Sequence, residues 1–383
     1  MPLSVCFLTR NEEPHVERAI ASVRGVADEI VVVDTGSSDG TAEAAAAAGA
    51  VVVQNTWTDD FAAGRNYTLR QAKGDWVFWM NATEELLPES HEPLRRCMEQ
   101  ADAYGFFVRL QNVAQGSRDP RPKPLGETMD LRLFRRNPEH PAVFIGRLHP
   151  HFRPEVVEGV RRQGLQVPHS DVVLRAYLEP GPPAPSKLRF SARLLELELQ
   201  DRPGQLHYLI EYGRTLILLD DPRAEEVMAR AADQVCEFRH SPTPPTTKAQ
   251  VLLIHQLALP PDKQHGRMTY GDAADLAARW FPSSPNVLWT LAEQAFKRKD
   301  YESAAEHLRQ LLELGRTGNF DRSHRFDPRI LGEDAMLNLG ACYVQLGNLK
   351  EAEACFLQLA SSPTVGAQAS QLLAMVQKRM RGS

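Results

Sequence analysis

The chain is expected to fold as an α/β domain on a mainly parallel sheet, followed by an all-α domain. Short continuous apolar runs alternate with helical segments through the N-terminal half, the pattern of strands buried on both faces by helices. A break at Glu179-Pro180-Gly181-Pro182-Pro183-Ala184-Pro185 then stops every regular element. Beyond it almost every segment has helical periodicity. The expected division is therefore an α/β domain over 1–178, a linker over 179–185 and a helical domain over 186–383. A length of 383 residues agrees, since it exceeds one ordinary core.

Leu3 to Leu8 is the first strand; no basic segment precedes it and Arg10-Asn11-Glu12-Glu13 follows at once, so a strand is expected here and not a signal peptide. Pro14 to Val23 is a helix with Val16, Ala19, Ile20 and Val23 on one face. Ile30-Val31-Val32-Val33 ends in Asp34, and the turn Thr35-Gly36-Ser37-Ser38-Asp39-Gly40-Thr41 leads into an alanine-rich helix from Glu43 to Ala48. Ligands of open α/β sheets bind at the carboxyl ends of the strands, which aims Asp34 at a crevice suited to a nucleotide. Asp34 can equally form the turn or cap the helix, as can Ser37 and Asp39. Val51 to Val53 is a short strand and Phe61 to Ala72 a helix that Lys73-Gly74 ends. Trp76 to Met80 is a continuous apolar strand, and its aromatic residues, like Trp57, are read as core. Phe106 to Leu110 and Met129 to Phe134 are strands flanking a polar loop, Asn112 to Glu127, that is either a lid or mobile.

Ser186 to Gln200 is an amphipathic helix with Leu188, Leu194, Leu195 and Leu199 on its apolar side. Near the C-terminus Leu291-Ala292, Ala295, Tyr301, Ala304, Leu308 and Leu311 are matched by Leu339-Gly340, Tyr343, Leu349, Ala352, Phe356 and Leu359 at the same offsets. This resembles the tetratricopeptide repeat, with an insertion around Arg316 to Gly332. Two helix pairs are few for a solenoid, so the helices around 206–235 and 249–281 are expected to stack with them. The helical domain either packs only on its neighbour or offers a groove to a protein.

Bulk properties narrow the class. Hydrophobic residues at 43% and charged residues at 24% fit a soluble globular protein. A net charge of -5 gives no general attraction to nucleic acid or anionic membrane, although a local basic patch stays open. No apolar run approaches the roughly 18 residues of a membrane span. Five scattered cysteines without a Cys-x-x-Cys pair are expected to be reduced thiols of a cytoplasmic protein.

Several blocks occur in an order that resembles the family 2 glycosyltransferases of GT-A fold, and within them a bacterial group that continues into tetratricopeptide-like helices. They are Thr9-Arg10-Asn11-Glu12-Glu13, the Asp34 to Thr41 turn, Trp57-Thr58-Asp59-Asp60-Phe61-Ala62-Ala63-Gly64-Arg65-Asn66, Gly74-Asp75-Trp76-Val77-Phe78-Trp79, Arg132-Leu133-Phe134-Arg135 and Gly146-Arg147-Leu148-His149. The resemblance implies transfer of a sugar from a nucleotide diphosphate donor, with inversion, to an acceptor that the helical repeats tilt towards a protein or peptide. It also implies that Asp34 meets the base, that Thr9 lines the same pocket and that Asp60 touches the base or orders its loop. Arg65 then meets the diphosphate, and Asn81 belongs to the same donor site.

Two departures from the family pattern matter. The family strand ends in Asp-x-Asp and holds Mn²⁺ or Mg²⁺ against the diphosphate; here Asn81-Ala82-Thr83-Glu84 leaves Asn81, Thr83 and Glu84 as the ligand set. Such ions normally need at least one or two carboxylates. The family's Arg-x-His-Glu is Arg147-Leu148-His149-Pro150 followed by His151, which makes His149 and His151 the candidate bases, with Asp130 and Glu127 behind them. An impaired relative that binds a nucleotide or partner as a scaffold is the alternative. A nucleotidyltransferase is disfavoured, because no Gly-rich basic loop follows the first strand.

Overall fold

In a computed structural model that describes residues 1–116, 124–137, 143–179 and 181–381, contacts divide the chain into two compact units, Met1–Pro203 and Gly204–Ser383. In the first unit β1 (Leu3–Thr9), β2 (Glu29–Asp34), β3 (Val51–Gln54) and β4 (Trp76–Trp79) lie parallel in the order β3-β2-β1-β4. They are the apolar runs of the sequence, joined by α1 (Glu13–Val23), α2 (Thr41–Ala47) and α3 (Phe61–Gln71). Alternate residues of these strands enter two cores. Val5, Phe7, Val32, Trp76 and Phe78 meet α1 on one face, while Cys6, Val31, Val33, Val77 and Trp79 meet α3 on the other. The helical face Val16, Ala19, Ile20 and Val23 is buried as its spacing requires.

The chain continues through β5 (Glu84–Leu86), α4 (His91–Glu99), β6 (Gly105–Ala114), β7 (Gly126–Arg135), β8 (Phe144–Ile145), β9 (His151–Phe152), α5 (Pro154–Arg162), β10 (His169–Leu178) and α6 (Pro185–Asp201). The full order is β3-β2-β1-β4-β7-β6-β10-β5, with β7 and β5 antiparallel to their neighbours. The loop expected over 112–127 is shorter at both ends, because Gln111 pairs with Glu127 and Asn112 with Gly126 in the β6–β7 ladder. Its residues 117–123 lie outside the described residues.

The contact-defined units divide at a different place from the expected linker. The Pro-rich run 179–185 separates β10 from α6 but not one unit from the next, which divide after Pro203. The reason is on α6, where Phe190 packs against Trp57 and Phe61 with ring centroids at 6.2 and 6.4 Å. Arg193 pairs with Asp59. Glu198, fully buried, accepts hydrogen bonds from the Arg147 backbone N–H at 2.8 Å and from the Arg202 guanidinium at 2.6 and 2.7 Å. Charge on a helix usually marks its solvated side; here one carboxylate points inward because a backbone donor and a guanidinium satisfy it.

Helix α3 approaches the sheet closely because residue 64 is glycine. A Cβ there would stand 2.8 Å from Leu8 Cδ2, at the carboxyl end of β1. The next turn of α3 holds the β8–β9 hairpin. The buried Asn66 amide donates to the Phe144 carbonyl at 2.9 Å and accepts from the Phe144 N–H at 2.9 Å, as a strand partner would.

In the second unit α7 (Leu206–Leu218) packs on α8 (Ala224–Glu237), and α9 (Ala249–Ala258) on α10 (Tyr270–Trp280) and α11 (Pro285–Lys297). The matched segments are α11 with α12 (Tyr301–Thr317) and α13 (Glu333–Leu346) with α14 (Leu349–Leu359), followed by α15 (Gly366–Arg381). The repeat positions form the cores: Ala292, Ala304, Leu308 and Leu311 in one, Ala352, Phe356 and Leu359 in the next. Gly340 faces Phe356, and a Cβ at that position would lie 2.5 Å from the ring, so the small residue of the repeat is a steric requirement. The all-α unit foreseen from the sequence is therefore present, and its insertion is the end of α12, a loop and a 3-10 turn, Pro328–Leu331.

Asn66→Ala leaves the Phe144 N–H and carbonyl buried without partners and should destabilise the first unit by about 2 to 4 kcal/mol. Deuterium exchange of the Phe144 amide tests the cause: it should rise with the loss of stability, and an unchanged rate would refute the strand-mimic role.

Candidate functional site

The carboxyl ends of three parallel strands line up across the sheet. Thr9 is in register with Asp34 and Asp34 with Gln54, so the ends of β3, β2 and β1 form one row, while β4 ends at Trp79 opposite Cys6, three residues short of it. A groove of about 540 Å³ opens on this row, lined by Arg10, Thr35, Gly36, Gln54, Asn55, Thr56 and Trp57. Ligand sites of open α/β sheets occur at this position.

The residues predicted for the nucleoside frame this groove more than they face it. Asp34 is 1% exposed, and its Oδ1 accepts from the N–H groups of Gly36 and Ser37, both at 3.0 Å, while Oδ2 accepts from the Ser37 hydroxyl. The turn-forming reading of Asp34 thus describes its contacts. Thr9 is also buried; its hydroxyl donates to the Val33 carbonyl at 3.4 Å and its carbonyl receives the Thr35 hydroxyl at 2.9 Å. The blocks 9–13 and 34–41 lock together: Asn11, in the left-handed region at φ 56°, accepts from Ser38 N–H at 2.8 Å, Glu12 N–H donates to the Thr41 hydroxyl at 2.8 Å, and Gly40 N–H donates to Glu13 at 3.1 Å. Asp60 caps α3, accepting from Ala63 N–H at 2.9 Å.

Trp57 differs from the other aromatic residues read as core. Trp76, Phe78 and Trp79 are buried, whereas Trp57 lines the groove, with its indole N–H on Asp59 at 2.9 Å and its ring edge-on to Phe61 at 4.8 Å. Arg10 and the run Gln54-Asn55-Thr56 were also missed as groove residues. The available signal was three consecutive polar residues directly after a third parallel strand.

At the end of β4 lies the second half of the site. Glu84, 2% exposed, accepts from Arg132 at 3.0 and 3.2 Å, from the Asn81 backbone N–H at 2.8 Å and from the Asn81 amide Nδ2 at 2.8 Å. Arg132 also donates to Asp130 at 2.8 Å. Glu84 is therefore saturated and does not fit the ligand role given to it above. Of the expected set only the Asn81 amide oxygen and the Thr83 hydroxyl remain, both neutral, which falls short of a hard-cation site. Among the described residues no group of three or more His, Cys, Asp or Glu is placed to hold a metal ion.

Arg65 stands beside this ion pair. Its guanidinium lies over the rings of Trp79 at 4.8 Å and Phe144 at 5.3 Å. Burial, reinforced by the Arg132 charge, lowers its pKa to about 10, against the pull of Asp130 and Glu84. It stays charged at neutral pH, because the shift leaves it well above 7.

The histidines sit on the hairpin that Asn66 holds. His149 is exposed and takes a left-handed backbone at φ 50°. His151 begins β9 and pairs with Ile145. Desolvation lowers its pKa, the Glu198 carboxylate and a bond to the His149 backbone opposing this. Arg147 anchors the loop between them through Asp201 at 2.6 Å and the Asp59 carbonyl at 3.2 Å, and its own carbonyl accepts from Phe61 N–H at 2.9 Å.

Residues 4–153 match the family model described as Glycosyl transferase family 2, and residues 334–363 match a model described as Tetratricopeptide repeat. The match to the family 2 glycosyltransferase model lies wholly within the first unit. Its α/β architecture, with a mostly parallel sheet ending in the groove, agrees with the fold that the resemblance implied, and a tetratricopeptide repeat match lies near the end of the second unit. Relatives of the glycosyltransferase domain include a TPR repeat-containing protein of Synechococcus elongatus, 37% identical over 137 residues, or 36% of this chain and 32% of that protein. An uncharacterized glycosyltransferase of Rickettsia bellii is 36% identical over 123 residues, 32% of this chain and 41% of that protein. The lipopolysaccharide core biosynthesis glycosyltransferase LpsC of Rhizobium meliloti is 31% identical over 142 residues, 36% and 52% of the two chains. The chain thus spans about a third to a half of the length of these relatives. Among solved structures, glucosyl-3-phosphoglycerate synthase from Mycobacterium tuberculosis with Mn²⁺, UDP and glucosyl-3-phosphoglycerate is 18% identical at a TM-score of 0.34, covering 52% of this chain and 79% of that one. That likeness is too loose to carry an argument. Among the described residues no helix is long and apolar enough to cross a membrane.

Arg132→Ala in the glycosyltransferase domain strands the Glu84 carboxylate in the core and should cost about 3 to 5 kcal/mol. Replacing both partners together, Arg132→Met with Glu84→Met, should recover most of it. Urea denaturation of the variants checks this; equal losses in the single and double variants would show that the pair is not the cause.

Proposed function

We propose that the chain transfers a sugar from a nucleoside diphosphate donor to an acceptor hydroxyl, with inversion at the anomeric carbon. What carries the reading is the groove at the carboxyl ends of β1, β2 and β3 in a domain of this family. The nucleoside lies in it, against Trp57 and the polar run Gln54 to Thr56, with Thr9, Asp34 and Asp60 holding the walls in shape. The diphosphate runs towards Arg65 and Asn81 at the end of β4. An acceptor oxygen then attacks the anomeric carbon as its C–O bond to the diphosphate breaks; the bonding pair leaves with the diphosphate and the acceptor proton passes to a base.

His151 is proposed as that base, since desolvation favours its neutral, proton-accepting form against the opposing bond to the His149 backbone. The acceptor is proposed to be a protein or peptide, on the strength of the repeat unit, where Trp289, Ala292, Phe296 and Leu308 line a small cavity of about 160 Å³. A second reading, an impaired relative that binds a nucleotide as a scaffold, draws on Asn81 and Thr83 standing where the family has carboxylates.

The test is turnover across a panel of UDP- and GDP-sugars, read as release of the nucleoside diphosphate. Thr56→Trp fills the groove from an exposed position and should abolish donor binding while leaving the melting temperature within a few degrees. Binding that survives this change would sink the groove assignment, and binding without turnover would favour the scaffold.

His151→Ala should lower kcat by about 10² to 10⁴. The sign of the pH dependence follows from the lowered pKa: the neutral base is the form present above its pKa, so the acid limb of kcat should fall below the ordinary histidine value of 6.5. A limb above 6.5, or one unmoved by His151→Ala, would exclude His151.

A further inference from the structure

We infer that this chain binds its donor diphosphate without a divalent cation, and that Arg65 supplies the charge a metal ion supplies elsewhere in the family. The inference rests on the donor reading above and concerns the same site.

Four ionic groups meet at the end of β4, and their pairing is unequal. Glu84 holds Arg132 through two hydrogen bonds at 3.0 and 3.2 Å, and Asp130 holds the same guanidinium at 2.8 Å. Both carboxylates are thus committed to one cation. Arg65, next to them, has no hydrogen bond or ion pair among the described residues and rests on the faces of Trp79 and Phe144. Aromatic faces stabilise a guanidinium by about 0.5 to 2 kcal/mol but satisfy none of its five donors. A half-buried cation in this state attracts an anion, and a guanidinium fork matches two phosphate oxygens.

The same geometry works against a metal ion. A doubly charged cation beside Arg65 would meet a fixed positive charge where, among the described residues, both neighbouring carboxylates are already engaged by Arg132, which leaves the neutral oxygens of Asn81 and Thr83 to bind it. Placement favours the diphosphate: Gly64 lets α3 touch Leu8 near the end of β1, which puts Arg65 over Trp79, the last residue of β4, on the strand beside the one whose end reaches the groove. The loss of two acidic residues and the presence of an unpaired arginine are two sides of one electrostatic arrangement.

Titration of the full chain with UDP and with GDP, followed by calorimetry, tests this in EDTA and again with Mn²⁺. The expected result is one Kd for the preferred nucleotide, equal within about threefold in the two buffers. Arg65→Met keeps an apolar stem over Trp79 and should weaken binding in EDTA by about tenfold to a hundredfold, the loss expected for hydrogen bonds to a charged group. Arg65→Lys retains charge without the fork and should fall between, and near-ultraviolet circular dichroism of both variants reports whether the ring packing survives. Asn81→Asp combined with Thr83→Asp should make binding respond to Mn²⁺. Wild-type binding that weakens tenfold or more in EDTA overturns the inference, as does an Arg65→Met Kd equal to wild type. Binding of neither nucleotide in either buffer overturns the donor reading itself, and this inference with it.

Discussion

The Glu84 carboxylate organises the end of the sheet. One buried anion gathers the Arg132 fork from β7, the Asn81 N–H and amide from the β4–β5 turn, and through Arg132 the Trp79 carbonyl at 3.4 Å. A lone carboxylate in this position would carry a large desolvation penalty, and only the completeness of its partners makes it tolerable. Those partners fix Asn81, they hold β4 against β7, and they leave Arg65 as the cation without a counterion. The electrostatics of the site follow from how one acidic residue is shared.

The groove at the ends of β1, β2 and β3 is held differently, by many weak bonds between two loops. Asn11 with Ser38, Glu12 with Thr41 and Glu13 with Gly40 join the β1–α1 loop to the β2–α2 loop, so the motif residues are largely occupied with one another. Short polar side chains suit this task because each satisfies a backbone group that a tight turn leaves unpaired. The groove itself is left to residues of plainer appearance, Arg10, Asn55, Thr56 and Trp57.

How far the sequence disclosed this depended on the kind of interaction. Strands such as Ile30 to Asp34 and Trp76 to Met80 were legible because burial on both faces demands continuous apolar runs. The α1 face and the repeat positions were legible because packing imposes a period. The strands β5, β8, β9 and β10 escaped, being short or mixed in polarity and set by partners distant in sequence. Glu84 was read as a metal ligand because its guanidinium partner lies far along the chain, beyond the reach of local pattern. For the same reason the inward-facing Glu198 left no local signal, and the contact between α6 and the sheet domain could not be read from the Pro-rich run 179–185.

Glu198 also bears on where this chain can be cut. The family match ends at residue 153 and the proline run at 185, yet the carboxylate that receives the Arg147 N–H, and the Asp201 carboxylate that pairs with its side chain, lie beyond both. A fragment ending at either point would leave the histidine loop without its anchor and expose Trp57 and Phe61, which Phe190 covers. Such a piece would expose these aromatic rings and be more prone to aggregate. The smallest portable version of the first unit therefore runs through Pro203, and sequence similarity alone would mark it about fifty residues too short.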